Sequence, residues 1–377
     1  SALTSLDLSF FDTSNVTDMT SLFYGCKALT SLDLSSFNTH KVVYMNYIFR
    51  NCSALQKVTF GADWKWVGTN GYLPTPSSTY IAGADGKWYD TDGNGYAPAD
   101  IPSNKAMTYT AVAPKKAFAV YSADDDSLTF YKRKGMPSAG DQFAGKTVTA
   151  VYTGIETDGF TPKWTAEHGS DLESVTVADE GIAPKSTASW FKECRNLVSS
   201  EVAKLDMSKC KDISYMFSGC DRLMSLDLSA WDTSSLENIS YMLESCLSLK
   251  EINVSCWDVS NVTNMENAFS GCRMVRKLDL STWNNAKTSD MTNMFAGMTQ
   301  LEEVKLGNGF RWVGSNPYLP TPSDDCIHGA DGKWHAQSDN RSYDPNKIPV
   351  GKADVYSAHP AIAPSPIVTV TGETKTG

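Results

Sequence analysis

Six of the nine cysteines stand in register, and this raises the first chemical question. Cys26 and Cys52 are 26 residues apart, and Cys194, Cys220, Cys246 and Cys272 repeat the same step. Thiolates bind structural zinc and thiols pair in disulfides, and either chemistry needs sulfurs that converge. A fixed step does the opposite: it stacks equivalent positions in parallel rows, with each side chain aimed the same way. Met298 fills the next slot, where no thiol is available. Small buried thiols fit this pattern better than metal ligands. Cys210 takes the slot of Val16 and also reads as core, whereas Cys256 and Cys326 carry no such signal.

The remaining chemical candidates are sparse. Asp90-Thr-Asp-Gly-Asn-Gly95 looks like the start of a calcium loop, with Asp90, Asp92 and Asn94 as the first oxygen donors. The twelfth position is Ile101, and the homologous stretch Ala336–Ser342 lacks the pattern, so a tight turn is expected and calcium is the alternative. The five histidines, His40, His168, His328, His335 and His359, form no spacing motif. No glycine-rich phosphate loop, nucleophile elbow or paired zinc ligand is present. The expectation is a protein that is not an enzyme and uses no cofactor and no metal. A formal charge of −10 over 377 residues argues against nucleic acid, whose phosphates need clustered Lys and Arg. No run of about 18 apolar residues occurs, so membrane insertion is not expected in this segment.

The 26-residue step reaches far beyond cysteine. An apolar slot three residues after it reads Leu29, Leu55, Leu197, Leu223, Leu249, Val275 and Leu301. The slot three residues before it reads Phe23, Phe49, Phe191, Phe217, Leu243, Phe269 and Phe295. A further slot holds Phe11, Phe37, Leu205, Trp231, Trp257 and Trp283, read as core in preference to a sugar-stacking strip. Each unit contains a short strand such as Leu29–Leu34, in which alternation turns Leu32 and Leu34 to one face. It also contains Met19, Leu22, Phe23 and Cys26 at i, i+3, i+4 and i+7, the stripe of a short helix. Thr17 and Asp18 suit its start, and Gly25, Gly219, Gly271 and Gly297 suit its end. One unit has too few apolar side chains to offset the ordering of its backbone, at about 1–2 kcal/mol per residue, so the units must stack. The expected fold is an α/β repeat solenoid of leucine-rich-repeat type, one strand and one short helix per unit, with small β-rich caps.

The end of the array occurs twice. Trp66–Ser77 matches Trp312–Ser323 and Gly83–Trp88 matches Gly329–Trp334, both at an offset of 246. Such segments, following the last leucine strand, read as caps over an open solenoid end, and Trp66, Trp88, Trp312 and Trp334 as cap core. The expected organisation is the end of a first array over 1–60, its C-terminal cap over 61–110 and a β-rich N-terminal cap over 111–171. The second array follows over 172–306, its cap over 307–358 and a Pro/Thr-rich linker over 359–377. The first residues already belong to a repeat, so a segment of a longer chain, monomeric as such, is expected.

The succession Leu-Thr-Ser-Leu-Asp-Leu-Ser, Phe-Asp-Thr-Ser-Asn-Val-Thr-Asp-Met and Phe-Tyr-Gly-Cys, within Leu3–Cys26, resembles the BspA-like leucine-rich-repeat surface proteins of bacteria. The resemblance covers about 1–60 and 172–306 and implies export, attachment to the cell surface, and adhesion to a host or matrix protein or glycan. The implied fold is a right-handed leucine-rich-type solenoid. The binding surface would be the strand face turned away from the core, with the cap loops. Its rows are Asp7, Asp33, Asp227, Asn253, Asp279 and Lys305, and beside them Met224, Lys250, Arg276 and Glu302. The acidic row reads either as a binding strip or as a solvated face whose Asp residues bond adjacent Ser and Thr. The main alternative to adhesion is a spacer or stalk module with no binding of its own. The variation of the outer row tilts the reading to binding.

Overall fold

A computed structural model describes residues 3–360, so the expected linker lies almost wholly outside the described residues. The chain divides into two units. The first runs to Lys116 and includes Arg133–Gly135; the second comprises Ala117–Lys132 and the chain from Met136 onward. The first unit contains β1 (Ser31–Leu34), β2 (Lys57–Phe60), β3 (Trp88–Tyr89), β4 (Gly95–Tyr96) and β5 (Met107–Thr110). The second opens with β6 (Lys116–Ser122), β7 (Ser127–Arg133), β8 (Gln142–Phe143), β9 (Lys146–Thr147) and β10 (Ala150–Thr153). A single short helix follows, α1 (Trp164–His168). The coils carry β11 (Ser174–Val177), β12 (Ser199–Glu201), β13 (Ser225–Asp227), β14 (Glu251–Asn253), β15 (Lys277–Leu280) and β16 (Glu303–Leu306). The chain then forms β17 (Trp334–Ala336), β18 (Ser342–Tyr343) and β19 (Asp354–Ser357).

Both units contain stacked 26-residue coils. β1 and β2 pair in parallel with Leu32 opposite Val58 and Leu34 opposite Phe60, all buried. In the second unit β13 pairs with β14 and β15 with β16, again in parallel and at a step of one coil. A second parallel seam runs through single bridges from Ser186 to Asp212, Asn238, Asn264 and Asp290. The stacking shows in the burial. In the first coil Phe11 and Leu22 are 60% and 51% exposed, while their counterparts one coil on, Phe37 and Ile48, are 2% and 0% exposed.

The helix expected in every unit is not formed, which makes the architecture a β-solenoid. The reason lies in the backbone donors. An α-helix needs each N–H to reach the carbonyl four residues back. Here the amides of Met19, Ser21, Phe23 and Gly25 instead reach the carbonyls of Tyr44, Asn46, Ile48 and Arg50 on the next coil. The intervening amides of Leu22, Tyr24 and Cys26 turn back to the carbonyls of Met19, Ser21 and Phe23. Ile213, Tyr215, Phe217 and Gly219 alternate in the same way with Met216, Ser218 and Cys220. Successive tight turns also bring every third or fourth residue inward, so they imitate the helical stripe. The Gly25 slot is left-handed, as expected, with φ 74°, but so is Ser21 at φ 60°, and a left-handed residue within the run breaks any helix. Asp18 caps no helix: its carboxylate accepts the Thr20 amide (2.7 Å) at a corner of the coil.

Side chains in register extend the backbone seams. The Cys52 thiol donates to the Phe23 carbonyl of the preceding coil (3.0 Å), and Cys220, Cys246 and Cys272 repeat the bond at 3.1, 3.2 and 3.1 Å. Trp231, Trp257 and Trp283 donate their indole N–H to the Val202, Leu228 and Val254 carbonyls. Their rings stack at 6.2 and 6.5 Å between centroids. Buried Thr39 both accepts from the Lys65 amide (2.6 Å) and donates to its carbonyl (3.0 Å). Asn285 does the same for Arg311 at 2.8 Å each way. A buried backbone group without a partner costs about 1–3 kcal/mol, so these bonds let polar side chains occupy core slots.

The ends are closed by antiparallel strands. In the first unit β5 lies along β2, and the sheet order is β1-β2-β5-β3-β4. In the second β19 lies along β16, in the corresponding order β15-β16-β19-β17-β18. Trp88 and Trp334 are fully buried and donate to the Pro74 and Pro320 carbonyls at 2.8 and 2.9 Å. At the other end of the second array β7 pairs in parallel with β11, and β6 and β10 continue the sheet outward.

Leu249 is fully buried between coils. Leu249→Ala is expected to cost about 2–5 kcal/mol, and exposed Lys250→Ala no more than about 0.5 kcal/mol, both read by urea unfolding. A second expectation concerns pH. Burial pushes Cys52 up to about 11 and Cys194 and Cys272 up to about 12. Below pH about 9, folded and unfolded chains both hold these protons and the stability is intact. As pH rises from about 9 toward 11–12 the unfolded chain releases them while the folded chain still holds them, so stability falls. Tyr109 and Tyr356, pushed up to about 12 by burial, act in the same direction. Unfolding midpoints between pH 8 and 11 should decline, and at pH 8 iodoacetamide should label exposed Cys256 and Cys326 well before the buried column.

Candidate functional site

The corners of the coil explain most of its aspartates. In one coil Asp227, Asp232 and Asn238 each accept the backbone amide two residues on, from Ser229 (3.0 Å), Ser234 (3.1 Å) and Ser240 (3.0 Å). The hydroxyls of the same serines donate to the same oxygens. Asp7, Asp12 and Asp18 hold the equivalent corners in the first unit, and Asp33 accepts from Ser35 (2.9 Å). Such side chains fix a turn locally. The Ser9 amide and hydroxyl hold the Asp7 carboxyl below its ordinary range, and the Ser229 hydroxyl and amide do so for Asp227. At Asp279 burial pulls upward, but the Ser281 bonds and Lys305 outweigh it and the carboxyl again titrates low.

Of the two rows singled out in the sequence, the first is split between the units and the second, Met224, Lys250, Arg276 and Glu302, lies wholly in the second unit. Asp7 and Asp33 lie in the first. In the second, strand register sets Asp227 beside Asn253 and Asp279 beside Lys305. Lys305 meets Asp279 at 3.2 Å, Arg276 meets Glu302 at 3.0 Å and Lys277 approaches Glu303 at 3.7 Å, each from one coil to the next. Pairs this exposed contribute about 0.2–1 kcal/mol and leave the cations accessible.

Beside these rows the surface opens into two clefts. One, of about 580 Å³, is lined by Lys250, Glu251, Ile252, Met274, Arg276 and Lys277. The other, of about 420 Å³, is lined by Val198, Arg222, Met224, Leu247, Ser248, Lys250 and Met274. They share Lys250 and Met274. The sequence rows contain Met224, Lys250 and Arg276 but miss Arg222, Leu247, Met274 and Lys277. The signal for two of these was present. Alternation around the buried Leu223 and Val275 turns Arg222 and Met274, three residues ahead of the strand proper, outward just as it does Met224 and Arg276.

Three other constellations are structural. Asp90 is buried, and its carboxylate accepts the Asn94 amide (2.8 Å), the Asn94 side chain (3.0 Å) and the Tyr96 hydroxyl (3.1 Å). Its oxygens close a turn. Among the described residues no group of three His, Cys, Asp or Glu side chains is placed to hold a metal ion. The Ser342 hydroxyl lies 3.0 Å from His335 Nδ1, and His335 Nε2 lies 2.9 Å from Asp331, a string no sequence spacing announced. In the first unit the same cap positions hold Gly95, Tyr89 and Asp85, and Tyr89 donates to Asp85. The contact ties down the same cap turn in both copies, with or without a histidine. A larger cleft of about 990 Å³ beside α1 includes Phe160, Thr165, Lys192 and Arg195. Thr165 donates to the Trp190 carbonyl, Arg195 pairs with Glu193 and Lys192 sits 4.3 Å over the Tyr215 ring, so these three side chains hold local structure. Among the described residues no helix is long and apolar enough to cross a membrane.

No curated protein and no solved structure matches the chain. One family does, over residues 2–69 and 185–307, and these are the stacked coils of both units. The match spans half of the chain, which therefore belongs to the family described as "Mycoplasma protein of unknown function, DUF285".

Proposed function

We propose that the chain is an interaction module of a bacterial surface protein, one that holds a protein or glycan partner on the outward strand face of its coils and on its cap loops. The observation that carries this reading is the contrast between neighbouring rows of the second unit. The inward row Leu223, Leu249, Val275 and Leu301 is apolar throughout and fully buried. The adjoining outward row runs Met224, Lys250, Arg276 and Glu302, apolar, then twice cationic, then acidic, where packing imposes nothing. A stack that only kept distance would gain nothing from such change, and repeat scaffolds bind through their extended faces. The resemblance to BspA-like leucine-rich-repeat surface proteins supports an extracellular, cell-surface setting. The role is non-catalytic in this reading: most corner acids bond their own turns and five of the six repeated thiols are buried.

The second reading, a spacer without binding of its own, is favoured by the two near-identical caps, which suit modules set in series. The full chain, immobilised at physiological salt, is to be presented with matrix proteins, mucins and glycans. Saturable binding to one class is expected, weakened at least about tenfold by the combined variant Arg276→Ala, Glu302→Ala and Lys305→Ala with the thermal melt unchanged. Silence across all classes favours the spacer, and binding indifferent to the variant places the site on the cap loops instead of the strand face. Antibody access on intact cells tests the surface setting.

A further inference from the structure

The two clefts of the second unit together have a definite chemical character. They meet at Lys250 and Met274, so they form one groove crossing the coils that carry β12 to β15. Its floor is aliphatic: Met224 is 50% and Leu247 36% exposed, with Met274 and Ile252 partly so. Its lining sets four cations, Arg222, Lys250, Arg276 and Lys277, against one carboxylate, Glu251, on a chain of net charge −10. Among the described residues the Lys250 ammonium has no hydrogen bond or ion pair. Arg222 has only a contact of 3.4 Å to the Asn196 side chain. Arg276 and Lys277 carry their acids on the far side, toward the coil of β16.

We propose that this groove docks an extended acidic peptide whose alternate side chains are apolar. The inference rests on the interaction-module reading above and names its partner class. Coils stacked about 4.8 Å apart give three steps across the groove, about 14 Å. That is room for about four residues of extended chain at about 3.3 Å each. Side chains alternate along such a chain, so one set descends on the methionine floor while carboxylates on the other meet Lys250 and Arg222. Thioether side chains adapt to apolar groups of varied shape. An acidic glycan would satisfy the charges but not the floor, since neither cleft is lined by an aromatic ring on which a sugar face could stack.

The test uses the full chain and a fluorescein-labelled octapeptide of alternating Glu and Leu, followed by anisotropy in 0.15 M salt. Three further probes accompany it: a Glu/Ser peptide, a Lys/Leu peptide and heparin. Saturable binding of the Glu/Leu peptide alone is expected. Arg222→Glu with Lys250→Glu should weaken it at least about tenfold. Met224→Ser with Met274→Ser should weaken it about threefold or more. Lys287→Glu, outside the groove, should leave it unchanged. All sites are on the surface, and circular dichroism melts confirm that each variant folds. No binding of the Glu/Leu peptide, equal binding of heparin or the Glu/Ser peptide, or indifference to the paired charge reversal overturns the proposal. If the chain still captures a partner on the matrix and glycan panel while the peptide fails, the interaction-module reading stands and this groove assignment falls.

Discussion

Every second amide in the turn run of a coil is bonded to the coil beside it. The neighbour is therefore part of the local structure, because a coil alone could not satisfy its backbone. The same bonds lock the register at 26 residues, since a slip by one would offer carbonyls to the wrong amides. Equivalent side chains are then forced into rows. A row can hold stacked aromatics such as Trp231, Trp257 and Trp283, or thiols that each donate to the preceding coil. Polar side chains in inward rows can bond the next coil's backbone, as Thr39 and Asn285 do.

The same constraint divides the charged residues by role. Acids at the corners close turns, so much of the negative charge of the chain is fixed by the shape of the coil. The cations near the start of each strand carry no such duty. Where they gather with methionines around Lys250, the surface has a chemistry that the repeat does not require. Specificity on a scaffold of this kind can arise only where the row rule is relaxed, on the outward positions and in the loops of the caps.

A parallel stack ends in an unpaired edge, and both arrays solve this alike. A strand from the far end of the cap returns antiparallel to the last coil, and a tryptophan bonded to a proline carbonyl fills the space beneath. The two caps differ at Tyr89 and His335, yet both residues reach the same aspartate position. This is why the serine–histidine–aspartate string in the second cap reads as turn architecture.

The period, the inward rows, the strands and the outward turn of Met224, Lys250 and Arg276 could all be read from the residues, because burial between identical neighbours repeats the same side-chain types at the same step. The helix could not be excluded in that way. Consecutive four-residue turns and an α-helix bring nearly the same positions inward, and only the destination of the amides, to the next coil or to the same one, separates them. The meeting of Arg222, Leu247 and Met274 with Lys250 was likewise beyond one-dimensional pattern, since it depends on loops of three coils lying side by side. Sequence alone determined what repeats; the contacts between coils decided the backbone's hydrogen-bonding partners and which outward residues share a groove.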